Sequence, residues 1–264
     1  MLAERPGIMT VGAIPSSTGV EAAIRRAAQA TGVDFDFLLK TARRESALNP
    51  AAKAPTSSAA GLFQFIEQTW LATLKKTGAR HGYGQYADLI QQGSDGRWRV
   101  SGSARNVVMD LRFDPRAASL MAGELTASNA AYLKGRTGQT PTGGDLYAAH
   151  FLGPAGAASL IEAVRARPGS SAVALFPQAA AANKSIFYRD GRAVTVVELR
   201  ENLSKSAGGA PPVAPPLDPE AMKDAALAAR LDRLRQDQTL LKMLLGQQDE
   251  GGGFLRAFGV GESR

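Results

Sequence analysis

Apolar residues recur at helical spacing in the first well-patterned stretch of the chain. Thr18 and Glu21 match a capping box at the start of this stretch, and Gly32 is placed to end it. Asp34 can cap a following helix. The residues that share the apolar face of the first helix are Val20, Ala23, Ile24 and Ala27.

The second helix carries an acidic residue on its apolar face. Glu45 continues the spacing of Phe37, Leu38 and Thr41, whereas Arg43 and Arg44 are expected to point elsewhere. A proline disfavours helical backbone in the residue before it, so the pattern predicts that Asn49-Pro50 stops the helix and that Glu45 lies in its last turn. We expect burial and the negative end of the helix dipole to raise the pKa of Glu45. A carboxylic acid of this kind can act as a general acid.

Further helices are predicted at 65–76, 115–133, 145–151 and 157–166. Asp114 caps the second of these, with Pro115 in its first position. In the 65–76 helix we expect a core side chain for Trp70, although an aromatic face is also a platform for a sugar ring. The residues expected to be buried with Trp70 are Ile66, Leu71 and Leu74.

Two stretches break the helical pattern. Residues 81–105 contain many glycines and a short apolar alternation around Trp98, which is typical of a small hairpin. Residues 175–203 contain an Asp190-Gly191 turn, which leaves a hairpin and a bent helical pair as alternatives. The residues expected to complete the core there are Phe187, Tyr188, Val196 and Leu199.

The composition divides the chain into five parts. Residues 1–16 are expected to form a flexible leader, 17–204 one helical domain and 205–217 a linker rich in Pro and Gly. A leucine seam predicts an amphipathic helix at 218–246, which self-associates or binds a protein partner, and 247–264 are expected to be a flexible tail. The fold class predicted for the whole is all-α.

Charge and metal-ligand content exclude several classes of site. The chain has no Cys and two His, so it has neither a disulfide framework nor a Cys/His zinc site, and we expect no metal or cofactor. The net charge of +7 lies before the linker, without a dense Lys/Arg segment, and this favours a basic surface over a nucleic-acid site. No apolar run has the roughly 18 residues of a transmembrane helix.

Two short motifs frame a candidate cleft. Glu45-Ser46 ends the second helix, and the segment SSAAGLFQF follows, with Gly61 as a glycine that lets the backbone approach a ligand and Gln64 as an amide that donates and accepts hydrogen bonds. The order of Glu45-Ser46, Gly61-Leu62-Phe63-Gln64 and Thr69 resembles the lytic transglycosylases of the soluble SLT type, which are relatives of goose-type lysozyme. A third motif of that family, AYNAGPG, is met in part by residues 149–155, where His150 replaces the tyrosine and Phe151 the asparagine.

The resemblance implies a lysozyme-like helical catalytic domain with Glu45 as its catalytic acid and then base. It implies cleavage of the β-1,4 bond between N-acetylmuramic acid and N-acetylglucosamine in peptidoglycan, without water, to give 1,6-anhydromuramoyl ends. The implied substrate-binding residues are Ser46, Gly61, Leu62, Phe63, Gln64, Tyr147 and His150, the last two as alternative orienting groups for Glu45.

The resemblance leaves two alternatives open. One is a lysozyme-like muramidase, which needs a second carboxylate to direct water. The candidates for that group are Asp88, Asp95 and Asp145. The other is a non-catalytic peptidoglycan-binding scaffold. The family acts in the periplasm or cell envelope, yet residues 1–17 lack a signal-peptide pattern, so we expect either earlier removal of a signal or another export route.

Overall fold

The computed structural model describes residues 17–55 and 57–207. The leader, the linker from residue 208 onward, the leucine-seam helix and the tail lie outside the described residues. The described chain is helical apart from two small hairpins, so the all-α prediction is confirmed. It forms two compact units that divide after Thr126.

Helices dominate the first unit, and the last of them, α6, continues past Thr126. Short 3-10 helices cover Gly78–His81 and Leu111–Phe113. The α-helices are α1 (Ser17–Thr31), α2 (Phe35–Ser46), α3 (Glu67–Thr77), α4 (Gly84–Asp88), α5 (Ala104–Asp110) and α6 (Pro115–Thr137).

Trp70 of α3 lies at the centre of the first unit's core. It is fully buried, and its indole N–H donates a hydrogen bond of 2.9 Å to the carbonyl oxygen of Val108. The ring of Phe65 meets it edge-on, with 5.3 Å between ring centroids. The sequence prediction of a core side chain is therefore confirmed, and the Trp70 face is not open to a sugar.

The predicted hairpin within residues 81–105 is confirmed. Strands β1 (Ile90–Gln92) and β2 (Trp98–Val100) pair antiparallel, with Gln91 opposite Arg99. The amide side chain of Gln68 in α3 both donates to the carbonyl oxygen of Trp98 and accepts from its N–H, each at 2.9 Å. This two-point contact fixes β2 against α3.

The second unit is built on the packing of α7 against α11. Thr142 and Asp145 form a capping box at the start of α7, and Thr195 and Glu198 form another at the start of α11. Gly153 interrupts α7 with non-helical backbone, so residues 145–151 and 157–166 belong to two helical segments on either side of a kink.

Short elements connect these two helices. Asp190 and Gly191, with φ of 50° and 76°, make the turn of the second hairpin, because two-residue hairpin turns favour left-handed backbone at both positions. The helices are α7 (Gly143–Ala166), α8 (Ala172–Leu175), α9 (Pro177–Ala182), α10 (Lys184–Phe187) and α11 (Val196–Ser206), and the strands are β3 (Tyr188–Arg189) and β4 (Arg192–Ala193).

Several sequence predictions of detail are wrong. Helix α1 already begins at Ser17, one residue before the predicted cap position. Ile66 is 49% exposed because it precedes α3 as its N-cap, and Tyr188 is 39% exposed because it lies on a two-stranded ribbon. Helix α6 continues to Thr137, beyond its predicted end at residue 133.

Among the described residues, none of the helices combines the length and the apolar character that crossing a membrane requires.

Candidate active site

Glu45 lies in the last turn of α2, as predicted. The helix starts where the Asp34 carboxylate accepts a hydrogen bond of 2.8 Å from the Phe37 N–H, and one face of α2 is buried. It ends at Ser46, before Asn49-Pro50, because Ala47 adopts left-handed backbone and its N–H donates to a carbonyl of the last turn. The predicted stop signal is therefore wrong in detail, while the position of Glu45 at the helix end is confirmed.

Glu45 lies at the edge of the buried face, with 18% of its side chain exposed. Arg44 is exposed and lies off the buried face of α2, as expected, yet its Nε is 3.6 Å from Glu45 Oε1. Adjacent helical residues diverge at Cβ, but the long arginine side chain reaches back along the helix surface. The candidate acid therefore has a cation beside it and an opening to solvent.

The backbone directly after Glu45 is strained. Ala47 and Leu48 have φ of 51° and 62°, which L-residues other than glycine rarely adopt and which costs of order 1 kcal/mol or more for each. A hydrogen bond of 2.9 Å from the Asn49 N–H to the Ser46 carbonyl closes this turn. The chain thus reverses sharply behind the glutamate, and backbone strain of this kind concentrates at functional sites.

Ser46 connects the end of α2 to the second motif. Its hydroxyl lies 2.9 Å from the carbonyl oxygen of Leu62 and 3.1 Å from that of Ala42, one turn back in the same helix. The contact with Leu62 joins positions 16 residues apart. The structure therefore brings Glu45-Ser46 and the 61–64 segment together, as the motif order predicts.

Gln64 uses its amide nitrogen to hold its own loop. Its Nε2 lies 2.9 Å from the Gly61 carbonyl oxygen and 3.4 Å from that of Ala52. The residue has a φ of 47°, and isolated backbone bridges pair Ala60 with Lys53 and with Phe65. The amide carbonyl oxygen makes no hydrogen bond with the described part of the chain, so its capacity to accept one is unused there.

Gly61 makes a close approach to the backbone of another segment of the protein, and its approach to a ligand stays a prediction. It has a φ of 78°, and a Cβ at this position would lie 1.9 Å from the carbonyl oxygen of Arg112. Its N–H donates a hydrogen bond of 2.8 Å to the Ala52 carbonyl. No side chain fits between the two chain segments.

Leu62 and Phe63 are core residues. Their exposed fractions are 0% and 4%, respectively, so neither side chain presents an apolar surface to a substrate. Contact of these two residues with a substrate stays a prediction, and it would involve their backbone. The part of this segment that could contact a substrate is its backbone, and the Ser46 hydroxyl fixes that backbone at the Leu62 carbonyl.

Sequence reasoning missed Arg112, which anchors the loop that precedes α3. Its guanidinium donates to the carbonyl oxygens of Met109 at 3.0 Å, Ser58 at 2.7 Å and Phe65 at 3.1 Å, and the residue is 9% exposed. Burial lowers the pKa of the Arg112 guanidinium. The available signal was its place between Leu111 and Phe113, an apolar setting unusual for a solvated arginine.

Two of the three candidate second carboxylates lie near the first hairpin. Asp88 is exposed at the end of α4. Asp95 is paired with Arg99 at 2.6 Å, and hydrogen bonds from the Arg99 side chain and the Arg97 N–H hold the pKa of Asp95 below its usual range. Asp95 is therefore a turn residue with an ion pair of its own.

Asp145 is the third candidate and has a structural role. It is 3% exposed, accepts hydrogen bonds of 2.9 and 3.0 Å from Arg200, and completes the α7 capping box with Thr142. Burial opposes ionisation of this carboxyl group, but the hydrogen bonds from Arg200 and Thr142 outweigh it and lower the pKa of Asp145. The carboxylate is fully engaged inside the second unit.

Tyr147 and His150 lie in the first segment of α7. Their rings are stacked with centroids 6.2 Å apart and planes 17° from parallel; Tyr147 is half-buried and His150 is exposed. Phe151, at the position of the family asparagine, packs against Phe187 at 6.4 Å and serves the core of this unit. The orientation of Glu45 by Tyr147 or His150 stays a prediction.

Within residues 17–55 and 57–207, no three His, Cys, Asp or Glu side chains are grouped so that they could hold a metal ion. The Arg44 guanidinium lies 3.6 Å from the Glu45 carboxylate, and the next residue, Ser46, holds the Leu62 carbonyl through its hydroxyl. Such an arrangement suits proton transfer by a single carboxylic acid.

Residues 22–91 match the family model described as the transglycosylase SLT domain. The matched segment contains Glu45-Ser46 and Gly61-Leu62-Phe63-Gln64, and it ends before Tyr147 and His150. The match supports a peptidoglycan transglycosylase-type function in general.

Proposed function

We propose that this chain, with its transglycosylase SLT segment at residues 22–91, is a peptidoglycan lytic transglycosylase of the cell envelope. The bond that it breaks is the β-1,4 linkage from N-acetylmuramic acid to N-acetylglucosamine. One observation carries the proposal: Glu45 ends α2 beside Ser46, whose hydroxyl lies 2.9 Å from the Leu62 carbonyl in the second motif.

In the proposed reaction Glu45 serves twice. As an acid it gives its proton to the glycosidic oxygen, the bond from that oxygen to C1 of the muramic acid residue breaks, and the 4-hydroxyl of the N-acetylglucosamine residue leaves. The substrate's own 2-acetamido oxygen assists at C1. The Glu45 carboxylate then takes the proton of the C6 hydroxyl as that oxygen bonds to C1, which closes the 1,6-anhydro ring and restores the acid.

The ion pairs of two of the three candidate second carboxylates favour this route over hydrolysis. A muramidase of the usual kind needs a second carboxylate about 5 to 9.5 Å from the first to act as nucleophile or to direct water. Asp95 and Asp145 are each committed to an arginine, at 2.6 and 2.9 Å. A reaction in which the substrate supplies its own nucleophile requires only Glu45.

We propose that Ser46 and Gln64 act mainly by fixing backbone. Ser46 holds the Leu62 carbonyl, and Gln64 holds the Gly61 carbonyl through its amide nitrogen. The amide oxygen of Gln64 would accept a hydrogen bond from a substrate hydroxyl or acetamido N–H. Gly61, Leu62 and Phe63 then set the position of that backbone without touching the sugar through their side chains.

We further propose that Tyr147 or His150 orients Glu45 or contacts the glycan. Both rings can donate a hydrogen bond to a carboxylate, and they are stacked on one face of α7. Exchange of each for phenylalanine distinguishes them, because the variant that lacks the orienting group should lose kcat while its affinity for the glycan changes little.

Mass spectrometry of purified peptidoglycan treated with the wild type and with Glu45→Gln tests the proposal. The substitution keeps the shape of the side chain and removes its transferable proton. Loss of the proton transfer alone should lower the rate about 10²- to 10⁴-fold. Anhydromuropeptides from the wild type, with almost none from the variant, are the expected result.

Other outcomes of this experiment identify the alternatives. Reducing-end products would replace the proposal with a muramidase reaction. Binding to peptidoglycan without products from either protein would replace it with a non-catalytic scaffold, a reading that the altered third motif at His150 and Phe151 favours.

A further inference from the structure

A pocket of about 470 Å³ in the first unit is lined by basic side chains from three elements. Arg26 comes from α1, Arg80 and His81 from the first 3-10 helix, and Arg116 from the first turn of α6. Ala23 and Leu120, each 7% exposed, add an apolar lining. The pocket involves none of the residues assigned above to the reaction.

The lining of this pocket contains no Asp or Glu. The neighbouring carboxylate of Glu124 holds the 3-10 helix in place, because His81 Nε2 lies 2.7 Å from one of its oxygens and Arg80 lies 3.6 Å from the other. Glu124 therefore offsets part of the charge on that side of the pocket and fixes the basic side chains at its rim.

Arg26 and Arg116 have no such carboxylate. Neither makes a hydrogen bond or an ion pair with the described part of the chain. A planar guanidinium offers paired N–H donors that match the two oxygens of a carboxylate or the oxygens of a phosphate. Two of them at one apolar-lined pocket form a site for an anionic group that is attached to a small apolar one.

We propose that this pocket binds a carboxylate of the peptidoglycan stem peptide, with Arg26 and Arg116 as its ligands. The inference rests on the proposed function, which brings glycan strands with their peptides to this unit. A stem-peptide carboxylate adjoins small alkyl side chains, which suit Ala23 and Leu120 better than a bare phosphate does. The site would make cleavage depend on the peptide that the glycan carries.

The test measures binding by titration calorimetry in a Glu45→Gln background, which removes turnover. The probes are a disaccharide-tetrapeptide muropeptide with free carboxylates, the same muropeptide with its carboxylates amidated, and inorganic phosphate. The variant is Arg26→Gln with Arg116→Gln. The matched control is Arg97→Gln with Arg105→Gln, which removes the same charge from exposed positions of the same unit.

We expect the Arg26/Arg116 variant to bind the free-carboxylate muropeptide about tenfold more weakly, since it loses charge-assisted hydrogen bonds. The control should keep the affinity of the parent, and the amidated muropeptide should bind weakly to all three proteins. Equal affinity of variant and parent would overturn the proposal. So would phosphate that binds as tightly as the muropeptide, since that result assigns a phosphate site.

Failure of this proposal is separable from failure of the proposed function. If the wild type releases anhydromuropeptides while the Arg26/Arg116 variant binds the muropeptide normally, the proposed reaction is supported and the proposed carboxylate site is overturned. If the wild type releases no anhydromuropeptides while the affinity for the muropeptide still depends on both arginines and on free carboxylates, the carboxylate site is supported and the proposed reaction is overturned. Matching circular dichroism spectra and melting temperatures exclude misfolding as the cause.

Discussion

The hydroxyl of Ser46 lies 2.9 Å from the carbonyl oxygen of Leu62 and so connects the end of α2 to the second motif. The same hydroxyl lies 3.1 Å from the Ala42 carbonyl. Because Glu45 is the neighbour of Ser46 in the chain, the contact sets the distance between the proposed acid and the backbone of residues 61–64. Ser46, which the sequence places among the substrate-binding residues, therefore also positions the backbone of the second motif.

Replacing Ser46 by Ala should lower kcat more than it weakens glycan binding. The hydrogen bond is worth about 1 kcal/mol to folding, so the protein should remain folded while the acid loses its fixed position. Thr41→Val is the matched control, since Thr41 donates to the Phe37 carbonyl in the same helix and reaches no other segment. Steady-state kinetics on soluble glycan strands give kcat and KM. Equal loss in both variants, or a change confined to KM, would contradict a positioning role.

Replacing Gly61 by Ala should cost several kcal/mol of unfolding free energy. The added Cβ would lie 1.9 Å from the Arg112 carbonyl oxygen, in a backbone conformation that L-residues rarely adopt. Gly32→Ala separates the two effects, because Gly32 has a φ of 71° but open space around its Cβ. That variant should lose only about 1 kcal/mol. Urea denaturation of both proteins measures the difference, and equal losses would show that backbone conformation alone matters.

Replacing Arg112 by Met should destabilise the loop that carries the second motif. The change leaves the Ser58 and Phe65 carbonyls without their donor, at a cost of about 2 to 4 kcal/mol in total. Arg105→Met is the control, since Arg105 forms an ion pair at 2.8 Å with Glu67 on the surface. Hydrogen exchange of amides in residues 58–65 is the direct readout. Protection that is unchanged in Arg112→Met would contradict the anchoring role.

The Asp145–Arg200 ion pair should make stability depend on acid pH. The pKa of Asp145 is lower in the folded protein than its ordinary value of about 3.9, so its stabilisation is complete above that value and is lost as the pH falls through the folded pKa. Asp145→Asn should therefore cost about 2 kcal/mol at pH 7 and progressively less below about pH 4.

Asp95→Asn is the control for this prediction. Asp95 is exposed and pairs with Arg99 on the surface, where solvent screens the interaction, so its loss should leave the melting temperature nearly unchanged at pH 7. Thermal melts from pH 3 to pH 7 measure both variants against the parent. A difference between Asp145→Asn and the parent that stays constant with pH would contradict the assigned ion pair.

Local chemistry allowed the sequence to predict part of the site. The apolar spacing around Glu45 and the end of α2 depend on residues within a few positions, and so does the Asp190-Gly191 turn. The exact helix end did not follow from the sequence, because a left-handed alanine at position 47 has no compositional signal. Arg112 was missed for a different reason: its three acceptors belong to segments that only folding brings together.

The sequence by itself determined the helical class, the place of Glu45 in the last turn of α2, and the two motifs that identify the SLT segment. Hydrophobic periodicity and short motifs predict these features because each depends on residues that are close together in the sequence. The tertiary structure alone decided that Ser46 holds Leu62, that Gly61 admits the Arg112 backbone, and that three arginines meet at one pocket. Each of these depends on contacts between segments that are far apart in the chain. The pattern of neighbouring residues does not predict such contacts.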